Sequence, residues 1–251
     1  MLVYLNGSLI ERTNEKSNQL SRSALEQHVR CPQCFYLQRK LGLKPPAMVP
    51  LTLAVATDAL LKNEFDAVRR AGAGHPLWVR EGLNVRAYQH VDIDLWRNNF
   101  KGMRITHSSG AEIFGAVDDV WENLDTGELH IVDYKSTSKQ GEPSIDVGWG
   151  DGYKRQMEIY QWLFRQAGHT VSNKGYFLYV NGSKEGGFYE EGTDGVMRFA
   201  TTMIPYEGDD AWVSGAVDAA VACLASDEMP ESGEDCDNCR YYREREGIAG
   251  H

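Results

Sequence analysis

Between residues 112 and 168 the chain reads strand, turn, strand, helix, and this run restricts the fold more than any other stretch. Residues 112–122 and 129–137 carry β-rich or alternating patterns, and Asp125-Thr-Gly127 between them is a turn signal. The segment YKRQMEIYQWLFRQAG is an amphipathic helix that stops at Gly168. Further strands are expected at 83–93 and 103–107, and later in GYFLYVN and VMRFATTMIPY. Residues 20–44, opened by an N-cap serine, read as one or two helices interrupted near Pro32 and ended by Leu43-Lys-Pro-Pro. Another helix runs from about Leu51 to Ala71, with Leu53, Ala56, Leu60, Leu61, Phe65 and Val68 at three- and four-residue intervals. Asp209 to Ser226 supplies a last helix, and a short acidic loop then delivers a C-x-x-C pair. The order predicts a mixed α/β core.

A chain of 251 residues, 42% of them hydrophobic, can bury one substantial core, or one core and a small module. No apolar stretch is long enough to span a bilayer, and MLVYLNGSLIERTNEKSNQ lacks a basic region followed by an apolar run. A soluble, cytoplasmic protein with no membrane partner is expected. The net charge of -10 argues against a protein that coats DNA passively. It is compatible with one that gathers carboxylates around a metal and meets phosphate through the metal.

Two short motifs fall on the predicted hairpin: G-A-V-D at 115–118 and I-V-D-Y-K at 131–135. Residues two apart on a strand share a face, so Asp133 and Lys135 point the same way. If the hairpin sets Asp118 beside Asp133, two carboxylates and an ammonium converge. The carboxylates suit Mg²⁺ or Mn²⁺, which prefer oxygen ligands, and the Tyr134 carbonyl could add another. The lysine can orient a water or stabilise developing charge in phosphodiester hydrolysis. By itself D-x-K is common and reads as alternation on an exposed strand. Twenty-one residues after Lys135, Gln156 and Tyr160 lie at i and i+4 on one helix face, able to reach back to the site. Lys154 and Arg155, just before them, are placed to meet a phosphate backbone.

In this order and at this spacing G-A-V-D, D-Y-K and Q-M-E-I-Y resemble the RecB-like branch of the PD-(D/E)xK nucleases, whose pattern is G-x-V-D, D-x-K, Q-x-x-x-Y. The resemblance covers most of the chain between Cys31 and Cys239. It implies a restriction-endonuclease-like mixed β-sheet core flanked by helices, with Asp118, Asp133, Lys135, Gln156 and Tyr160 as catalytic residues. It also implies a helix carrying G-x-x-x-H, whose histidine is a metal ligand. The matching segment here is Ala54-Val-Ala-Thr-Asp58, so Asp58 stands in the histidine's place. Asp58 either ligates a hard cation or pairs with Lys62 on the helix surface.

Cysteines occur at 31, 34, 223, 236 and 239, and four of them form two C-x-x-C pairs, CPQC and CDNC. Cys31, Cys34, Cys236 and Cys239 read as tetrahedral ligands for zinc or an iron–sulfur cluster, and spacing does not choose between them. Cys223 reads as a small apolar core residue. Some RecB-like nucleases, including the CRISPR-associated and AddB types, carry an iron–sulfur cluster held by one early and three late cysteines. The resemblance therefore points to a four-iron four-sulfur cluster, although Arg240 to His251 holds no further cysteine and Cys34 must take the fourth place. The expected layout is an N-terminal helical segment over 1–50, a nuclease core over 51–226, and a C-terminal segment over 227–251.

The basic group Arg30, Arg39, Lys40 and Lys44 could face DNA, or be an ordinary solvated helix face. Trp96, Trp121, Trp149 and Trp162 could stack bases, although Trp121 and Trp162 sit in apolar patterns that read as core. Together these readings predict a metal-dependent DNA nuclease, an exonuclease or one acting on single strands and ends. Recombination, phage replication and CRISPR adaptation are the contexts from which protein partners would come. The competing reading is a catalytically degenerate nuclease-fold module that binds nucleic acid or protein. A redox protein using the cysteines alone leaves the central motifs unexplained.

Overall fold

The structure is a computed structural model, and it describes residues 2–5, 8–11, 18–45, 49, 51–148, 150–189 and 195–249. The chain opens with strands β1 (Leu2–Leu5), β2 (Ser8–Glu11) and β3 (Gln19–Ser21), then helices α1 (Arg22–Arg30), α2 (Pro32–Arg39), α3 (Thr52–Ala71) and α4 (Pro76–Arg80). Next come β4 (Val85–Ala87), α5 (Ile93–Trp96), β5 (Met103–Thr106), β6 (Glu112–Gly115), β7 (Asp119–Asn123) and β8 (Leu129–Thr137). The remainder is α6 (Gly150–Gln166), β9 (Lys174–Gly182), β10 (Phe199–Glu207), α7 (Val213–Ala225) and α8 (Asp237–Ala249).

These elements divide between two compact units, one of residues 1–49, 104–115 and 211–251, the other of residues 50–103 and 116–210. The first holds the β1–β2 hairpin, the sheet β3-β6-β5 with β3 and β6 parallel, and helices α1, α2, α7 and α8. Ser21 caps α1 by accepting the Ala24 N–H at 3.1 Å. The break expected at Pro32 is real, because proline cannot donate inside a helix but fits its first turn. Arg39 donates to the Gln19 carbonyl and Lys40 pairs with Asp227 at 3.0 Å, so two of the four cations considered for DNA are committed within this unit.

The second unit is built on a five-stranded sheet in the order β10-β9-β8-β7-β4, with β8 and β9 parallel and the other pairs antiparallel. The β7–β8 hairpin turns where the sequence indicates. The Asn123 side chain accepts the Asp125 N–H at 2.9 Å, and Gly127 takes a φ of +73° that other residues resist. Its register sets Asp119 opposite Val132 and Val120 opposite Ile131. Helix α6 is the crossover that two parallel neighbours such as β8 and β9 require. Phe65, Trp78, Trp121, Val132, Tyr134, Tyr176 and Leu178 share one core cluster, with Trp121 5.2 Å from both Phe65 and Trp78, centroid to centroid.

Two local expectations are corrected. The run 112–122 is two strands: β6 joins the three-stranded sheet and β7 the five-stranded one, and Asp118 sits on a bend just before β7 rather than on a strand. The Val117 N–H is spent on the Trp96 carbonyl at 3.2 Å instead of a ladder. The run 83–93 shrinks to β4, and the chain then turns into α5. As the sequence indicates, a short acidic loop delivers the second C-x-x-C, which lies at the start of helix α8. Among the tryptophans, Trp96, Trp121 and Trp162 are buried and cannot stack bases; Trp149 lies outside the described residues. Cys223 is half-buried on α7. Among the described residues no helix is long and apolar enough to cross a membrane.

A buried ion network fastens α3 to the hairpin. Arg69 donates to Asp66, to Asp119 and, at 2.8 Å, to the Tyr88 carbonyl, while Arg97 grips Asp66 through two 2.8 Å bonds. Asp119 is fully buried. Replacing Arg69 by alanine strands that carboxylate without its cation, which costs about 3–5 kcal/mol. Urea unfolding of Arg69→Ala should show this loss, and a change under about 1 kcal/mol would mean that Tyr134 and Arg97 carry Asp119 without it.

Candidate active site and cysteine centre

Because β7 and β8 run antiparallel with Asp119 opposite Val132, the next step of the register carries Asp118 to Asp133. The Tyr134 peptide N–H donates to Asp118 Oδ2 at 2.8 Å, pinning that carboxylate to β8. Asp133 is fully buried. Its Oδ1 accepts Gln156 Nε2 at 2.8 Å from α6, and its Oδ2 lies against the Lys135 ammonium. The Gln156 amide serves both partners, since its oxygen accepts Lys135 Nζ at 3.3 Å while its nitrogen also reaches Tyr160 Oη at 3.3 Å. Asp118, Asp133, Lys135, Gln156 and Tyr160 thus form one connected constellation.

Asp58 stands one step out. Its carboxylate pairs with Lys62 at 2.9 Å, one helical turn on along α3, and the same ammonium lies 3.7 Å from Asp118 Oδ1. The geometry is that of the pair with Lys62, and that pair borders Asp118. Lys154 is bound to Asp146 at 2.8 Å. Two neighbours of the site lie outside the motifs that mark it. Lys62 is visible as an i, i+4 partner of Asp58, but its reach to Asp118 depends on how α3 packs. Tyr153 lies with its ring 4.3 Å from Lys135 Nζ, a cation–π contact offered by its place in the first turn of α6.

The electrostatics follow from burial and like charge. Burial pushes the Asp118 carboxyl up to about 7, and the Asp133 carboxylate adds to the rise. Burial works to discharge Lys135, but Asp133 and Asp118 outweigh it and hold its pKa above the ordinary lysine value. The lysine is a proton-bearing cation at neutral pH. Two neighbouring carboxylates, one of them disfavoured as an anion by the other, are a donor set that a divalent cation satisfies.

The sequence profile of the PD-(D/E)XK nuclease superfamily matches residues 19–243. The chain belongs to this superfamily. No curated protein matches it in sequence. Nucleases of the superfamily use divalent metals, and the carboxylate pair of this PD-(D/E)XK chain fits that use.

The other cluster is made of thiols. Cys31, Cys34, Cys236 and Cys239 bring their sulfurs within 4.8 Å of one another, joining the N- and C-terminal segments of the first unit as the sequence indicates. Burial alone would raise the Cys31 thiol; N–H donors from Gly233 at 3.2 Å and Cys34 at 3.4 Å outweigh it and bring the pKa down to about 7. A thiolate is the form that ligates metal.

Two predictions follow from the carboxylate pair. Asp118 must shed its proton to ligate, so Mn²⁺ affinity should rise through pH 6 to 8 by up to about tenfold per unit below its pKa. Titration calorimetry in two buffers of different ionisation heat should register the released proton, and an affinity flat across that range would refute the shift. Tyr134 is clamped at both ends, its N–H on Asp118 and its hydroxyl on Asp119 at 3.0 Å. Tyr134→Phe should lower Mn²⁺ affinity by about tenfold while costing roughly 1 kcal/mol in stability. Unchanged Mn²⁺ binding would show that the hydroxyl plays no part in setting Asp118.

Proposed function

We propose that this chain is a divalent-metal-dependent DNA nuclease, an exonuclease or one acting on single strands and ends. The observation that carries the reading is the convergence of Asp118, Asp133, Lys135 and Gln156 through hydrogen bonds and an ion pair. Asp118 and Asp133 would hold Mg²⁺ or Mn²⁺, with the Tyr134 carbonyl and Asp58 as further oxygen donors. When bound, the ion polarises a phosphoryl oxygen and lowers the pKa of water.

The chain's own groups do the rest. Lys135, held protonated, acts as a donor rather than a base: it orients the attacking water and stabilises charge growing on the phosphoryl oxygens. Gln156 fixes Lys135 and Asp133 against each other, and Tyr160 holds the amide from the opposite side. As the water oxygen attacks phosphorus the P–O ester bond breaks, the water's proton leaves toward solvent or a carboxylate, and the departing oxygen takes up a proton from solvent. Lys154 and Arg155, at the start of the same helix, face the phosphates that follow. The same reading places the protein in the cytoplasm, alongside recombination, phage-replication or CRISPR-adaptation proteins that generate or consume DNA ends.

Labelled single- and double-stranded DNA incubated with Mg²⁺, Mn²⁺ or EDTA tests this directly. Cleavage should need the metal, favour single strands or ends, and fall by about 10²–10³ in Lys135→Ala without loss of fold, with Asp133→Ala falling at least as far. Undiminished cleavage by Lys135→Ala would sink the mechanism. A folded wild type that cuts no substrate would leave the degenerate binding module, with the Asp58–Lys62 pair as its first suspect.

A further inference from the structure

The two C-x-x-C pairs meet in the same way from two helices. Cys31 is the N-cap of α2 with Cys34 in its first turn; Cys236 directly precedes α8 with Cys239 in its first turn. Cys31 and Cys239 are buried, Cys34 and Cys236 half-buried. The sulfurs stand 3.6 Å apart for Cys31–Cys239 and 3.5 Å for both Cys34–Cys236 and Cys34–Cys239, with all four inside 4.8 Å.

These separations are close to the edge of a tetrahedron around one ion, since metal–sulfur bonds of about 2.3 Å set sulfurs about 3.8 Å apart. A four-iron four-sulfide cube attaches each thiolate to a different iron and puts its own sulfides between them, which holds the cysteine sulfurs much further apart. The surroundings oppose that expansion. The Gly233 N–H donates to Cys31 Sγ at 3.2 Å, and a Cβ on Gly233 would stand 2.0 Å from the Arg30 carbonyl oxygen. Backbone is thus packed hard against the first pair, where only glycine fits.

We propose that the four cysteines hold a single zinc ion and that the iron–sulfur cluster implied by the RecB-like resemblance does not fit this chain. Tetrahedral thiolate sites select zinc or iron–sulfur clusters, and for a lone ion zinc outranks ferrous iron in affinity. The ion is redox-inert. It ties together cysteines separated by 208 positions, so its work is to hold the first unit closed rather than to carry electrons. The inference is independent of the nuclease reading, since it is read from metal content and not from cleavage.

The test uses the intact chain, purified without chelator and without oxygen from cells supplied with both iron and zinc. Mass spectrometry should find about one zinc per chain, with iron and acid-labile sulfide at background and no visible absorbance. Chain isolated without metal is titrated with Co²⁺, and the visible bands of a tetrahedral thiolate site should saturate at one equivalent. Iron and labile sulfide near four each, with a brown chromophore, would overturn the proposal. One iron without sulfide, or a folded chain that gives no cobalt–thiolate bands, would overturn it as well.

Discussion

The antiparallel register of β7 on β8 decides where every group of the carboxylate site can stand. Pairing Asp119 with Val132 brings Asp118 to Asp133, and a slip by one residue would turn each side chain to the other face of the sheet. Such a slip is blocked from two directions. Tyr134 links β8 to both aspartates, and Arg69 of α3 binds Asp119 where there is no water to replace it. Register, helix docking and the spacing of the site carboxylates are one constraint, enforced by a buried charge that has no cheap alternative partner.

Much of this unit is written locally. The turn chemistry at Asn123–Gly127, the alternation on either side and the amphipathic period of α6 each act within a few residues, so they can be read without a partner. D-x-K and Q-x-x-x-Y inherit that clarity, because a strand and a helix fix which way their side chains face. Asp118 was harder. The β-rich run continues from 112 to 122, and only the competition of two sheets for its two halves divides it. The three-residue β3, parallel to β6, has no local signature, and neither does the contact of Arg69 with an aspartate fifty positions on. Lys62 lies between these cases, its pairing with Asp58 legible and its approach to Asp118 set by packing.

The two units treat buried acid and sulfur by the same rule. Asp119 is buried without water against a guanidinium and a phenol that offset part of the cost of its burial, whereas Asp118 and Asp133 crowd together with one ammonium on each flank. The four thiols repeat the pattern, with N–H donors aimed at Cys31 and helix N-termini behind both pairs. Groups that have their counter-charge built in serve as structure. With Asp58 beside them the site carboxylates number three against the two ammonium groups of Lys62 and Lys135, and an external cation is what that set lacks.

That distinction reconciles the acidic balance of the chain with a phosphate substrate. A net charge of -10 repels a polyanion at a distance, and the long-range field cannot be what recruits it. At contact the balance reverses. Lys62 and Lys135 flank the carboxylate pair, and a divalent ion between Asp118 and Asp133 would add its two charges at the point where a phosphate must sit. A bound ion would then decide the affinity for the nucleic acid backbone, since without it the two lysines do no more than neutralise the carboxylate pair. In a chain of net charge -10 such a centre favours release of a polyanion over its retention.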